Sequence, residues 1–192
     1  MVSSQALPRT APQLETVVLG TDTTFMRAII RAAIYAALFV AAMEAVITLA
    51  RFGGHVTPIW IASAVLAWAL VSSPTRDWPL VVGFAAAAHI ARGVVYGDPA
   101  QTEIIYLLAN VGGPFVCAGL MRWRGTGLDF EDRGAVLNFL LIAGVAAPAA
   151  AVAVVALGTI IDPSRFSVDD FDIWFLADAL SYVVFMPVFF GI

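Results

Sequence analysis

The chain has 192 residues, 61% of them hydrophobic and only 12% charged, with a formal net charge of −4. Soluble domains are nearer ~45–50% apolar and ~25% charged, and a soluble fold of this composition would expose large apolar patches and aggregate. An ordinary soluble domain is therefore excluded, and the chain is read as integral to a membrane.

In chain order, residues 1–24 ("MVSSQALPRTAPQLETVVLGTDTT") are polar and are expected to form a flexible tail, with a short amphipathic piece at "PQLETVVLG". A spanning helix needs ~20 mainly apolar residues, because each rises ~1.5 Å and the hydrocarbon core is ~30 Å thick. Six segments qualify: roughly 25–50, 57–73, 78–97, 103–121, 134–161 and 172–191. The first is too long for a signal-peptide core and holds Glu44, so no cleavable leader is expected. The runs are continuous and do not alternate with period two, which argues against a barrel. The expected fold is all-α: a polytopic membrane helical bundle of about six transmembrane helices over 25–192.

Within the spans, "RAAIYAALFVAAM" and "AGVAAPAAAVAVVALG" are rich in small residues, which let helix backbones approach closely in lipid. "GGP" (112–114) predicts a local break, and Pro148 predicts a kink, because proline removes a hydrogen bond and crowds the preceding turn. Trp60, Trp68, Trp78, Trp123 and Trp174 fall mostly near span ends, and interfacial anchoring is expected for most of them. The single cysteine, Cys117, excludes an intrachain disulfide and a cysteine metal cluster.

All ten basic residues are arginine. With the N-terminus in the cytoplasm, Arg9, Arg27, Arg31, Arg76, Arg122, Arg124 and Arg133 fall inside, and Arg51, Arg92 and Arg165 fall outside. That follows the positive-inside bias and places both termini in the cytoplasm. The arginines of "MRWRGTG" and "EDR" belong to a solvated inner loop, within reach of anionic headgroups. The acidic connections "GDPAQTE" (97–103) and "DPSRFSVDDFD" (162–172) fall outside. The ending "MPVFFGI" has no polar tail and reads either as the cut edge of a longer protein or as an end at the membrane edge.

Ionisable side chains within a bilayer face the bundle interior and usually pair. Glu44, His89, Arg92, Asn110 and Asp178 all lie in the outer half by span depth, whereas the inner half has almost no buried charge. Ala85, His89, Arg92 and Tyr96 form one helical stripe, as do Ala41, Glu44 and Thr48. Tyr106 shares a face with Asn110, and Trp174 shares one with Asp178, Ser181 and Tyr182. Four helices thus bring polar and aromatic groups to one depth, the pattern of an outward-opening pocket. The candidate ligand-binding residues are Glu44, His89, Arg92, Asn110, Trp174 and Asp178. The alternative is structural pairing alone, with Arg92 on Glu44 or Asp178, or Arg92 snorkelling to the surface.

His55 and His89 lack any fixed metal-ligand or haem spacing. There is no phosphate loop, nucleophile elbow or zinc helix, and Ser181 has no base near it in sequence. No catalytic activity, cofactor or nucleic-acid partner is expected of this region.

Three stretches resemble a known family. "TPIWIASAVLAWALVSSPTRDWPLVVGFAAAAHI" (57–90) is similar to its Pro-containing start, apolar helix, short basic turn and Trp-Pro return. "YLLANVGGPFVCAGLMRWRG" (106–125) resembles its Asn-containing helix ending in basic residues. "DIWFLADALSYVVFMPVFFGI" (172–192) resembles its segment of a tryptophan, an aspartate four residues on, and a terminal proline. The family is the membrane-associated sensor family, type one. The resemblance covers roughly 55–192 and implies a bacterial inner-membrane input domain preceding a histidine kinase, diguanylate cyclase or phosphodiesterase. It carries over Trp174, Asp178, Pro187 and Asn110. The chain departs at "WIASA" and at Ser181, where glycines are usual in the family. Members often have eight spans, which would make the six here part of an eight-helix domain.

Three functions compete: a sensory input domain, a small-solute uptake component of about six spans, and a scaffold binding a membrane partner laterally. Beyond the lipid bilayer, the expected partners are a small ligand or a membrane protein. A homodimer is expected by analogy with dimeric kinases and cyclases.

Overall fold

The computed structural model describes residues 13–53, 59–125, 131–161, 163 and 171–191. Its elements are α1 (Gln13–Gly53), α2 (Ile61–Val71), a 3₁₀ turn (Thr75–Asp77), α3 (Trp78–Tyr96), α4 (Ala100–Trp123), α5 (Arg133–Leu141), a π-helical turn (Ile142–Ala146), α6 (Ala147–Ile161) and α7 (Phe171–Phe189). Five helical segments are long and apolar enough to cross a bilayer: Thr23–Leu49, Thr75–Tyr96, Ala100–Trp123, Arg133–Ile161 and Phe171–Phe189.

The sixth expected span is different. Among the described residues of 57–73, the 11 residues Ile61–Val71 are α-helical, a rise of about 16 Å, or half the hydrocarbon thickness. α2 is the most enclosed helix of the bundle, with Ser63, Leu66, Leu70 and five other residues buried. Its start is set from a distance. The Trp60 N–H donates to Ser181 Oγ at 2.7 Å and to Ala177 O at 3.3 Å, both on α7. Its far end is closed by side chains. Trp78 Nε1 donates to Leu70 O at 2.8 Å, and Arg122 Nη2 donates to the carbonyls of Val71 (3.1 Å) and Ser73. These bonds satisfy carbonyls that a helix C-terminus leaves open. Trp78, expected at the lipid interface, is thus buried as a cap, and Arg122 is tied to α2; Trp123 is 75% exposed.

α1 begins earlier than the expected span. Residues 13–24 are its first turns, because extending an existing helix is far easier than nucleating one. Residues 1–12 lie outside the described residues. Ala28, Ala32, Ala36, Phe39 and Met43 recur every three or four positions and form the buried face of α1. Of these, Ala32, Phe39 and Met43 pack in one cluster with Leu66 and Leu70 of α2 and Val81 of α3. A second cluster joins Cys117 and Met121 of α4, Phe139 of α5, and Tyr182 and Met186 of α7.

The expected break at 112–114 is absent: α4 runs unbroken through Pro114. Gly113 serves packing instead. A Cβ there would stand 3.3 Å from both Ala147 O and Ala151 Cβ on α6 and 3.1 Å from the Tyr182 hydroxyl. The Pro148 disturbance is present as the π turn over 142–146, which widens the helix where the proline ring would crowd the carbonyl of Gly144. The inner-half expectation also needs correcting. At the bundle end opposite His89, Asp77 is buried and pairs with Arg31 at 2.5 Å.

Candidate functional site

A pocket of about 530 Å³ lies at the N-terminal end of α2, lined by residues of α1, α3, α4 and α7 together with Trp60 and Asp98. His89, Arg92, Asn110, Trp174 and Asp178 all line it. Glu44 does not; it stands behind Arg92 as its partner. His55 and Arg165 lie outside the described residues.

Each polar group is positioned by a specific contact. Arg92 Nε donates to Glu44 Oε1 at 2.8 Å, and Nη1 to Asp98 Oδ2 at 3.4 Å. Its guanidinium lies 4.6 Å from the centre of the Tyr96 ring, and the Tyr96 hydroxyl donates to Glu44 Oε2 at 3.0 Å. The stripe of His89, Arg92 and Tyr96 therefore engages α1 through Glu44 and, at His89, through the Phe39 ring 6.3 Å away between centroids, whereas Ala41 and Thr48 are exposed.

His89 is 2% exposed and sits in a chain of three side chains. Its Nδ1 is 2.5 Å from Glu103 Oε1, and its Nε2 is 3.2 Å from Asn110 Nδ2. Placing the ring proton on Nδ1, toward the carboxylate, leaves Nε2 to accept from the Asn110 amide. Both nitrogens are thereby committed within the bundle.

Glu103 was not among the residues singled out by sequence. "GDPAQTE" reads as a polar connection, yet the turn is only Gly97, Asp98 and Pro99. Gly97 takes φ +74°, a left-handed conformation suited to glycine, and α4 starts at Ala100. Glu103 therefore lies in the first turn of α4, buried against α3 at Gly93, where a Cβ would overlap its carboxylate. The available signal was its spacing. Glu103, Tyr106 and Asn110 follow one another at three and four positions, on one helical face.

On α7, Trp174 stacks on Tyr106 with centroids 5.7 Å apart and planes 21° apart. One turn on, Asp178 is 2% exposed, with Ser63 of the first turn of α2 as a polar neighbour. Among the described residues no arginine or histidine forms an ion pair with it. Arg92 thus takes Glu44 of its two candidate partners. A helix N-terminus favours a nearby anion, which gives a buried carboxylate at this spot a partial counter-charge.

Long apolar helices around a half-helix, with a polar pocket at its N-terminus, define a multi-pass membrane protein with a candidate ligand site. The family model of MASE1 matches residues 28–192, so the chain belongs to the MASE1 family, whose domains are membrane sensor inputs of signalling proteins. No curated protein and no solved structure matches the chain.

Proposed function

We propose that this domain senses a small ligand entering the pocket from the periplasmic side of a bacterial inner membrane. The response passes to a C-terminal cytoplasmic histidine kinase or cyclic-di-GMP enzyme in a homodimer. The observation that carries the reading is the placement of His89, Arg92, Asn110, Trp174 and Asp178 around one cavity. A cavity of this size lies within the range that encloses small-molecule ligands. The arginine asymmetry supports the orientation, and membership of a sensor family favours this reading over uptake or scaffolding.

A ligand signals only by favouring one helix arrangement over another. α7 is suited to carry that difference. It holds Trp174 and Asp178 at the pocket and packs on α2 through Ala177, Ser181 and Tyr182. The 19-residue helix then ends at Phe189, at the opposite end of the bundle. Displacing α7 at the pocket would strain the Trp60 contacts that start α2. The test is the output of the native full-length protein carrying Asp178→Asn, His89→Ala or Trp174→Ala. Each substitution is expected to lock output high or low at normal expression. Normal regulation in all three would overturn the reading.

A further inference from the structure

The polar lining of the pocket is unevenly satisfied. Three carboxylates, Asp98, Glu103 and Asp178, face one guanidinium, that of Arg92. Arg92 is already engaged by Glu44 and Asp98, and His89 by Glu103 and Asn110. What remains is mostly acceptor. Asp178 is 98% buried without a cation among the described residues. Among the described residues Asn110 Oδ1 and Glu103 Oε2 are buried with no hydrogen-bond partner, against one such buried donor on the lining, Trp60 Nε1. Carboxylates held away from water in a membrane call for a counter-charge.

An anion is the wrong occupant, although the α2 N-terminus faces this region. It would stand against Asp178 and Asp98, with Arg92 already engaged by two carboxylates and both His89 nitrogens committed within the bundle. A cation meets Asp178 directly, offers donors to Asn110 Oδ1, and finds the stacked rings of Trp174 and Tyr106 beside it. Aromatic faces attract ammonium groups and cover apolar ligand surface.

We propose that the pocket takes a small organic cation: an ammonium on an apolar body, its nitrogen at Asp178 and its body against Trp174 and Tyr106. This inference rests on the pocket being the ligand site of the sensor. The probes are 4-phenylbutylamine, 4-phenylbutanol and 4-phenylbutyrate, which share a body and differ in charge. Binding is read by tryptophan fluorescence and thermal shift on the native full-length protein in lipid nanodiscs. The amine is expected to bind and to raise the unfolding temperature, with the alcohol and the acid giving no saturable response. Asp178→Asn should weaken the amine by more than about tenfold, the loss that removing one partner of a buried charge pair produces. Trp174→Ala should weaken it through the ring contact alone, which covers the case of an unstable Asp178 variant. Preferential binding of the acid or the alcohol, abolished by Trp174→Ala, would overturn the cation assignment and leave the pocket reading standing. No response to the amine, or a response unchanged in both variants, would also overturn it, while the output of the full-length variants tests the pocket reading separately.

Discussion

Arg92 on α3 reaches Glu44 on α1 across 2.8 Å, and this ion pair, with the Tyr96 hydroxyl on the same carboxylate, ties the two helices together at the rim of the pocket. The arginine side chain is 14% exposed and the glutamate 35%, so the pair lies between the exposed and buried limits. Arg92→Ala strands Glu44 and frees Asp98. A loss of about 1–3 kcal/mol is expected, above a surface pair and below a fully buried one. Thermal unfolding in detergent checks this, and Arg92→Ala combined with Glu44→Gln should cost less than the sum of the two single losses. Unchanged stability in Arg92→Ala would mean that the pair contributes nothing.

Gly93 and Gly83 lie on the same helix and should respond in opposite directions. A methyl at 93 collides with the Glu103 carboxylate, whereas a methyl at 83 meets nothing within 4 Å. Gly93→Ala is expected to destabilise by about 1–3 kcal/mol through overpacking. Gly83→Ala should be neutral, or stabilise by up to about 1 kcal/mol from helix propensity. Equal unfolding temperatures for the two variants would contradict the close seating of α4 on α3.

The far end of α2 offers another test. Arg122 donates to the carbonyls of Val71 and Ser73 and lies 5.4 Å over the Trp78 ring. Arg122→Lys keeps the charge but loses the fork that reaches two carbonyls and the planar stacking. It should lower stability nearly as much as Arg122→Ala. Full rescue by lysine would show that the arginine serves only as a charge at that end.

The proposed orientation can be read by labelling. Thr75 and Gln101 are exposed at opposite ends of the bundle, and the native Cys117 is buried. In whole cells, Gln101→Cys should react with a membrane-impermeant maleimide and Thr75→Cys should not. The reverse pattern would invert the topology and place the pocket on the cytoplasmic side.

The helices and two polar stripes were legible because each depends on local spacing. The stripe of His89, Arg92 and Tyr96, and that of Trp174, Asp178, Ser181 and Tyr182, follow from the pitch of one helix. The half-length of α2 was not legible. "TPIWIASAVLAWALVSS" is apolar throughout, and the contact that starts the helix comes from Ser181, 121 positions away. The Arg31–Asp77 pair, 46 positions apart, was hidden for the same reason. Glu103 was obscured by composition. Its neighbours Asp98, Pro99 and Gln101 suggest a loop, and only the short turn at Gly97 brings it into α4. The choice of Glu44 over Asp178 for Arg92 likewise depends on how α1, α3 and α7 are arranged around the pocket, which spacing within one helix cannot reveal.

The central claim is that the space beyond the N-terminus of α2 controls the output of the protein. Ile173 lines that space and is 40% exposed, so a cysteine there is open to reagents. Ile160, near the end of α6, is 77% exposed and outside the lining, and serves as the control. The measurement is the output of the native full-length protein carrying Ile173→Cys or Ile160→Cys, before and after a bulky thiol reagent. Filling the pocket at 173 should drive output to one extreme, while modification at 160 leaves regulation intact. Complete modification at 173 with output still normally regulated would contradict the account.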